Sequence, residues 1–275
     1  MNEIPRWAWM WALAAAIFAA CKVWTLRGAL RITNHASRAP QTDPLKGPEI
    51  RNSGFDIRSL GYLFLWPGMD AKAFLDRNRR AAPPPVAEWL FAVAKLGLGA
   101  ALLWIVSPRT SPPLLQGWVG MLGVIFILHF GTFHLASLAW RRAGVQAEPL
   151  MRAPILSASL GELWGRRWNL GFRDIAHELI FLPLSPRLGP GGAALAVFVA
   201  SGLVHDLVIS VPAGGGYGLP TAYFLIQGAG VLLERKLRIT SRIFAIAVAV
   251  APMYGLFHPP FVRNVFLPFM KAVGA

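Results

Sequence analysis

The sequence predicts an all-α, polytopic transmembrane helical bundle, and three observations predict it. Of 275 residues, 55% are hydrophobic and only 15% charged, with a mean hydropathy of +0.48, well outside soluble usage. Apolar runs recur at the length a bilayer demands, since hydrocarbon about 30 Å thick needs roughly twenty residues of helix. Lysine and arginine crowd into alternate connections, the asymmetry that marks cytoplasmic loops.

The runs are Trp7 to Leu26, Trp89 to Val106, Leu114 to Trp140, Ala193 to Val211, Leu219 to Leu233 and Ile243 to Phe257. Two further pieces, Ile175 to Leu184 and Phe261 to Met270, are too short to cross and read as re-entrant or interfacial. Counting them, about six to eight membrane helices form one domain over residues 1–275, with no internal repeat.

The loop after the first run carries Arg27, Arg31, Arg38, Lys46, Arg51, Arg58, Lys72, Arg77, Arg79 and Arg80. Arg141, Arg142, Arg152, Arg166, Arg167 and Arg173 follow the third run, and Arg235, Lys236, Arg238 and Arg242 the fifth. These regions are expected in the cytoplasm, and the N-terminus outside. The first run is expected to be a retained helix; a cleaved signal ending at Cys21 is poorly supported by Glu3 and a single leading Arg6. Within the first loop, "LGYLFLWPGMD" is expected to lie flat as an interfacial helix stopped by Pro67 and Gly68. The tryptophans at 7, 9, 11, 104, 118 and 140 fit interfacial belts.

The net charge of +14 does not imply nucleic-acid binding, because no compact basic domain exists to carry it. One cysteine excludes an intramolecular disulfide and every multi-cysteine zinc site. No metal is expected, since His129 and His134 are five apart and no histidine pair has ligand spacing with a carboxylate. No G-x-S-x-G elbow or P-loop is present.

Ionisable side chains in hydrocarbon are functional candidates by default, and "FVASGLVHDLVIS" holds His205 and Asp206. His205 falls about 18 Å along its helix from Ala193, near mid-membrane. Ser201, four residues earlier, shares its face, so its hydroxyl is a candidate to hold the ring; Asp206 points elsewhere. The competing reading is a histidine that only ties helices together. His129, His134, His177 and His258 read as packing or interface residues, and His35 as part of the exposed loop. In "GELWGRRWN" Glu162 is expected to pair with Arg166, four residues on.

The stretches "SASLGELWGRRWNLGFRDIAHELIFLPL" and "VFVASGLVHDLVIS" together resemble the membrane-bound O-acyltransferase superfamily, specifically its wax synthase-like branch, over roughly residues 120 to 235. "YLFLWPGMD" is similar to an upstream feature of that branch, while the chain is short for the superfamily. The resemblance implies a bundle of that family's type and transfer of an acyl group from acyl-CoA to the hydroxyl of a lipophilic alcohol, with no cofactor beyond acyl-CoA as co-substrate. Other acceptors, such as diacylglycerol, a sterol or a secondary-metabolite hydroxyl, stay open, as does a lipid transporter without bond chemistry.

The resemblance also implies His205 as the catalytic histidine and Asn169 as the motif-ending asparagine. A neutral imidazole in a dry interior suits a general base, and Asn169 is placed to orient it or to donate to the thioester oxygen. Arg166, Arg167 and Arg173 are candidates to pair with CoA phosphate, Trp164 and Trp168 to wall the chamber. A bacterial inner membrane with acyl-CoA arriving from the cytoplasm is the expected setting.

Overall fold

The computed structural model describes residues 4–36 and 56–275. Among them the chain is helical, without strands. Helix α1 (Arg6–Ala36) is followed by two short helices, α2 (Ile57–Leu65) and α3 (Ala71–Leu75). The long apolar helices α4 (Val86–Arg109) and α5 (Pro113–Arg142) come next. A short turn of helix, α6, covers 160–167. It leads into α7 (Leu170–Ala213), and α8 (Leu219–Leu237) returns along it. The chain closes with α9 (Arg242–Leu256) and α10 (Pro259–Ala272), bent by 58°.

Four of these helices, Arg6–Arg31 of α1 together with α4, α5 and α7, are long and apolar enough to cross a membrane, or five spans if α9 and α10 count as one. The expected fifth run does form helix α8, but Glu234, Arg235 and Lys236 at its end keep it outside that group. The first helix runs past Leu26 to Ala36, so Arg27, Arg31 and His35 are helical rather than in a loop. Arg38, Lys46 and Arg51 lie outside the described residues.

Helix α7 is two pieces. Gly189, at φ 68° and ψ 169°, breaks it between Pro186 and Pro190, in a region of backbone space that only glycine adopts readily. The break separates the expected short piece at 175–184 from the expected span at 193–211, so the segmentation read from the sequence stands. The part after the break carries Ser201, His205 and Asp206.

Gly202 sets how closely α7 and α8 meet. A Cβ there would lie 2.7 Å from the backbone Cα of Thr221, so only a glycine permits this crossing. Gly202→Leu is expected to destabilise the chain by about 1–3 kcal/mol or more through overpacking, read as a lowered unfolding temperature in detergent. An unchanged temperature contradicts this crossing.

The "LGYLFLWPGMD" stretch forms most of α2 and the turn after it, packed on the bundle. Asp56 caps α2 by accepting from the backbone of Arg58 and Ser59 at 3.0 and 3.1 Å. Tyr62, Trp66 and Phe74 are buried with Leu26 and Ala29 of α1 and Val145, Ala147 and Leu150, while Ile57, Phe64 and Leu65 stay exposed. Lys22 of α1, fully buried, donates to the carbonyl of Gly68 at 2.7 Å and sits 3.1 Å over the Tyr62 ring. The segment is therefore fastened to the bundle on one side and apolar on the other. Trp104, Trp118 and Trp140, expected in interfacial belts, donate to the carbonyls of Val273, Phe257 and Leu65 and tie the elements together.

Candidate functional site

The local fold of "GELWGRRWN" follows from its own polar residues and one from α8. Ser159 caps the first turn by accepting from Glu162 N at 3.0 Å. The buried Glu234 of α8 accepts from the backbone N–H of Leu160 and Gly161. Those are donors that a helix start leaves unpaired, and a carboxylate suits the positive end of the helix. Glu234→Gln keeps one acceptor and is expected to destabilise the chain by about 1–2 kcal/mol, visible in the unfolding temperature; no change sinks this capping role.

From Leu163 to Arg167 the chain widens into a π turn, in which residues five apart come into line. Glu162 therefore pairs with Arg167, at 2.7 Å, and not with Arg166 as the α-helical spacing predicts. Its carboxyl is held below the usual carboxylate range by the Ala158 N–H and then by Arg167. Such a group adds stability above its unfolded pKa and loses that contribution as pH falls through the depressed value. Similar π turns occur at 102–106, 126–132, 177–181, 206–210 and 262–266, so a π turn alone does not mark a site here.

The three arginines assigned to phosphate are placed differently. Arg167 is committed, since its guanidinium also donates to the carbonyls of Arg152 and Ala153. Arg173 pairs with Asp174 at 3.0 Å and lines a cavity of about 400 Å³ that also holds Asp70, Asp76, Glu148 and Asp174. Arg166 is exposed.

Asn169 starts α7 with its backbone in the left-handed region, at φ 43° and ψ 57°. Asparagine tolerates that conformation better than most side chains. Its N–H meets the Met151 sulfur at 3.2 Å. Its amide makes no capping bond, which leaves the side chain uncommitted there.

The two motifs converge on Phe224 of α8. The Trp164 indole packs on Phe224 with ring centroids 5.8 Å apart, and the His205 imidazole packs on the same ring at 4.4 Å. Trp164 also meets Phe198 and Trp168, and Trp168 meets Phe130. The Trp164 N–H donates to Gln227 at 3.2 Å, and Gln227, fully buried, donates on to the carbonyl of Val248. Helix α8 thus joins the aromatic motif to the histidine helix, a role that nothing in its apolar sequence announces.

His205 is half-buried, and its Nδ1 lies 2.7 Å from the carbonyl oxygen of Ser201. The partner is the Ser201 backbone, not the hydroxyl expected from the sequence. A carbonyl only accepts hydrogen bonds. Nδ1 must therefore carry the proton, and Nε2 holds the lone pair. Nε2 has no protein partner among the described residues, and it is not sealed away: the buried side-chain atoms without partners are Trp11 Nε1 and His129 Nδ1. His205 and Asn169 line neither the cavity at Arg173 nor a second one at Arg142.

Asp206 points away from His205, as its position predicts. Its carboxylate accepts from Ser210 at 2.8 Å, from the Gly218 N–H at 2.8 Å, and from the Thr221 N–H at 3.0 Å and the Thr221 hydroxyl. Ser210 also lies 3.1 Å from Nε2 of the fully buried His258. The trio resembles a hydrolase triad in composition only. His258 Nδ1 accepts the Phe261 N–H at 3.2 Å, so Nε2 carries the proton and cannot take one from Ser210. This is a structural network that caps α8.

A second polar cluster escaped the sequence reading. Lys95 lies 2.8 Å from His134 Nδ1, His134 Nε2 lies 3.2 Å from Glu88, and Arg141 reaches Glu88 at 2.9 Å. The signal was present, since Glu88 and Lys95, like His134 and Arg141, are seven apart and so share a helix face. His129 and His177 do pack on neighbouring aromatics, Phe133 and Phe181.

Residues 147–226 match the model of the membrane bound O-acyl transferase family, a segment that holds both motifs. A probable long-chain-alcohol O-fatty-acyltransferase of Arabidopsis thaliana is 27% identical over 165 residues, 55% of this chain and 47% of that protein. The long-chain-alcohol O-fatty-acyltransferase of Simmondsia chinensis is 30% identical over 48% of this chain and 40% of its own length. An acyl-CoA–sterol O-acyltransferase of Arabidopsis thaliana is 38% identical over 71 residues, 23% of this chain and 21% of the relative. The chain spans about half the length of the curated relatives it matches. These relatives are plant proteins and lend no support to a bacterial inner membrane; the apolar helices and the family support an integral membrane protein. The segment 147–226 is therefore similar to the membrane bound O-acyl transferase family, and the relatives it resembles include long-chain-alcohol O-fatty-acyltransferases.

Proposed function

We propose that the protein transfers a fatty acyl group from acyl-CoA to the hydroxyl of a lipophilic alcohol, with His205 as general base. The observation that carries this reading is the Nε2 of His205, without a protein partner among the described residues, on a ring that packs against the same Phe224 as Trp164. An alcohol is a weak nucleophile at neutral pH. Nε2 takes its proton as the oxygen attacks the thioester carbonyl; the carbon–sulfur bond then breaks, and the departing CoA sulfur recovers the proton from the imidazolium. The Ser201 carbonyl fixes the tautomer and faces the imidazolium while it exists.

Asn169, with its uncommitted amide, is assigned to the developing oxyanion or to orienting the base. Trp164 and Phe224 offer apolar surface to the acyl chain or the alcohol. Acyl-CoA approaches from the arginine-rich face, its charged end remaining in water. A sterol is the second acceptor reading, favoured by the likeness to the sterol O-acyltransferase.

The test supplies the purified protein with labelled acyl-CoA, a panel of long-chain alcohols and a sterol. Ester formation with an alcohol is the expected result, and formation with the sterol alone moves the assignment to the second acceptor. A folded protein that makes no ester with any acceptor contradicts the reading, and measurable lipid movement in that protein identifies transport instead.

A further inference from the structure

Five arginines share one cavity. Arg58 at the start of α2, Arg77 and Arg80 in the connection to α4, and Arg141 and Arg142 at the end of α5 line a space of about 560 Å³, together with Ala81, Pro83, Ala143 and Gly144. Among the described residues no acidic side chain lines it. Asp56 engages Arg77 and Glu88 engages Arg141. Arg58, Arg80 and Arg142 have no carboxylate partner among the described residues.

The walls are fixed independently of the arginines. The Ala81 N–H donates to the Gly144 carbonyl at 3.2 Å and holds the connection against the end of α5. The Asp56 cap fixes the start of α2. Topology accounts for arginines on this face of a membrane protein, but not for five of them around one space whose described lining holds no acid. Like charges repel in the absence of a counter-ion, and the cavity at Arg173 shows the alternative, with four acidic residues in its lining and Arg152 and Arg173 paired to Glu148 and Asp174.

We propose that this cavity is a binding site for a phosphate-bearing anion, separate from the His205 centre, whose natural source is either an anionic lipid headgroup or a soluble diphosphate. The chemistry common to both sources is clustered phosphate oxygens. Guanidinium groups meet them with paired, charge-assisted hydrogen bonds. The volume suits a small ligand. The half-buried Arg58 and Arg141 form the inner wall and the exposed Arg80 and Arg142 the rim. The site does not depend on acyl transfer being the activity.

The test uses the full chain in phosphatidylcholine nanodiscs, titrated with inorganic pyrophosphate at physiological ionic strength. Saturable binding is expected, weakened at least about ten-fold in Arg80→Gln/Arg142→Gln. It is largely recovered in Arg80→Lys/Arg142→Lys. Arg235→Gln/Arg238→Gln removes the same net charge from α8 and its C-terminal cap and is expected to bind as the parent does. Repeating the titration with phosphatidic acid in the disc distinguishes the sources: a weakened pyrophosphate affinity identifies a lipid headgroup, and an unchanged one a soluble anion. In the parent protein, pyrophosphate is also expected to shield Arg80 and Arg142 from phenylglyoxal, a readout that needs no variant. Absence of saturable binding with no shielding, or equal weakening in the Arg235/Arg238 control, overturns the proposal.

Discussion

His205→Ala is expected to lower the proposed ester formation by about a hundred- to ten-thousand-fold, the usual contribution of a general base, while the protein remains folded. Among the described residues the side chain has one hydrogen bond, to a carbonyl of its own helix, and one ring contact, to Phe224. Removing it leaves no charged partner behind, so the structural cost is small beside the chemical one. The loss is expected in kcat more than in KM, because proton removal belongs to the transition state. His205→Gln, which fills the space without a basic lone pair, is expected to behave like alanine. Steady-state rates with labelled acyl-CoA and a long-chain alcohol check this, alongside the unfolding temperature of each variant. Turnover that survives either substitution removes His205 from the chemistry.

Asp206→Ala acts on the neighbouring residue with the opposite signature. Four donors converge on that carboxylate, two of them backbone N–H groups in the first turn of α8. Its removal leaves them without their acceptor and frees the Ser210–His258 pair that depends on it. A loss of about 2–4 kcal/mol is expected from the unpaired groups and the lost cap. It appears as a lowered unfolding temperature with the intrinsic chemistry intact in the fraction that folds. Asp206→Asn retains one acceptor oxygen and falls between the two. A stable, inactive Asp206→Ala protein contradicts this division, since it makes the carboxylate part of the reaction.

The contrast between these neighbours shows what the sequence discloses. Apolar run length identified the helices, because the cost of exposing a backbone to hydrocarbon acts on every residue of a span. The i to i+4 rule put Ser201 beside His205 and turned Asp206 away, and both placements hold. The rule could not tell the Ser201 hydroxyl from its carbonyl, a choice made by local backbone geometry. It failed at Glu162, because a π turn shifts the pairing by one residue. Nor could the sequence show Phe224, Gln227 and Glu234 as the elements that bring the motifs together, since each lies in α8 and acts on residues far away in the chain. The arginine cavity was hidden for the same reason. Its residues come from three separate stretches, each legible alone only as a topology signal.

The proposed acyl transfer requires His205 Nε2 to face the place where the thioester and the hydroxyl meet. A structure of the full chain with a non-hydrolysable acyl-CoA thioether and a long-chain alcohol tests it most directly. The alcohol oxygen is expected within hydrogen-bond reach of His205 Nε2, about 2.6–3.2 Å, with an apolar chain running along Phe224 and Trp164. An acyl chain bound elsewhere, with lipid against the His205 ring, contradicts it.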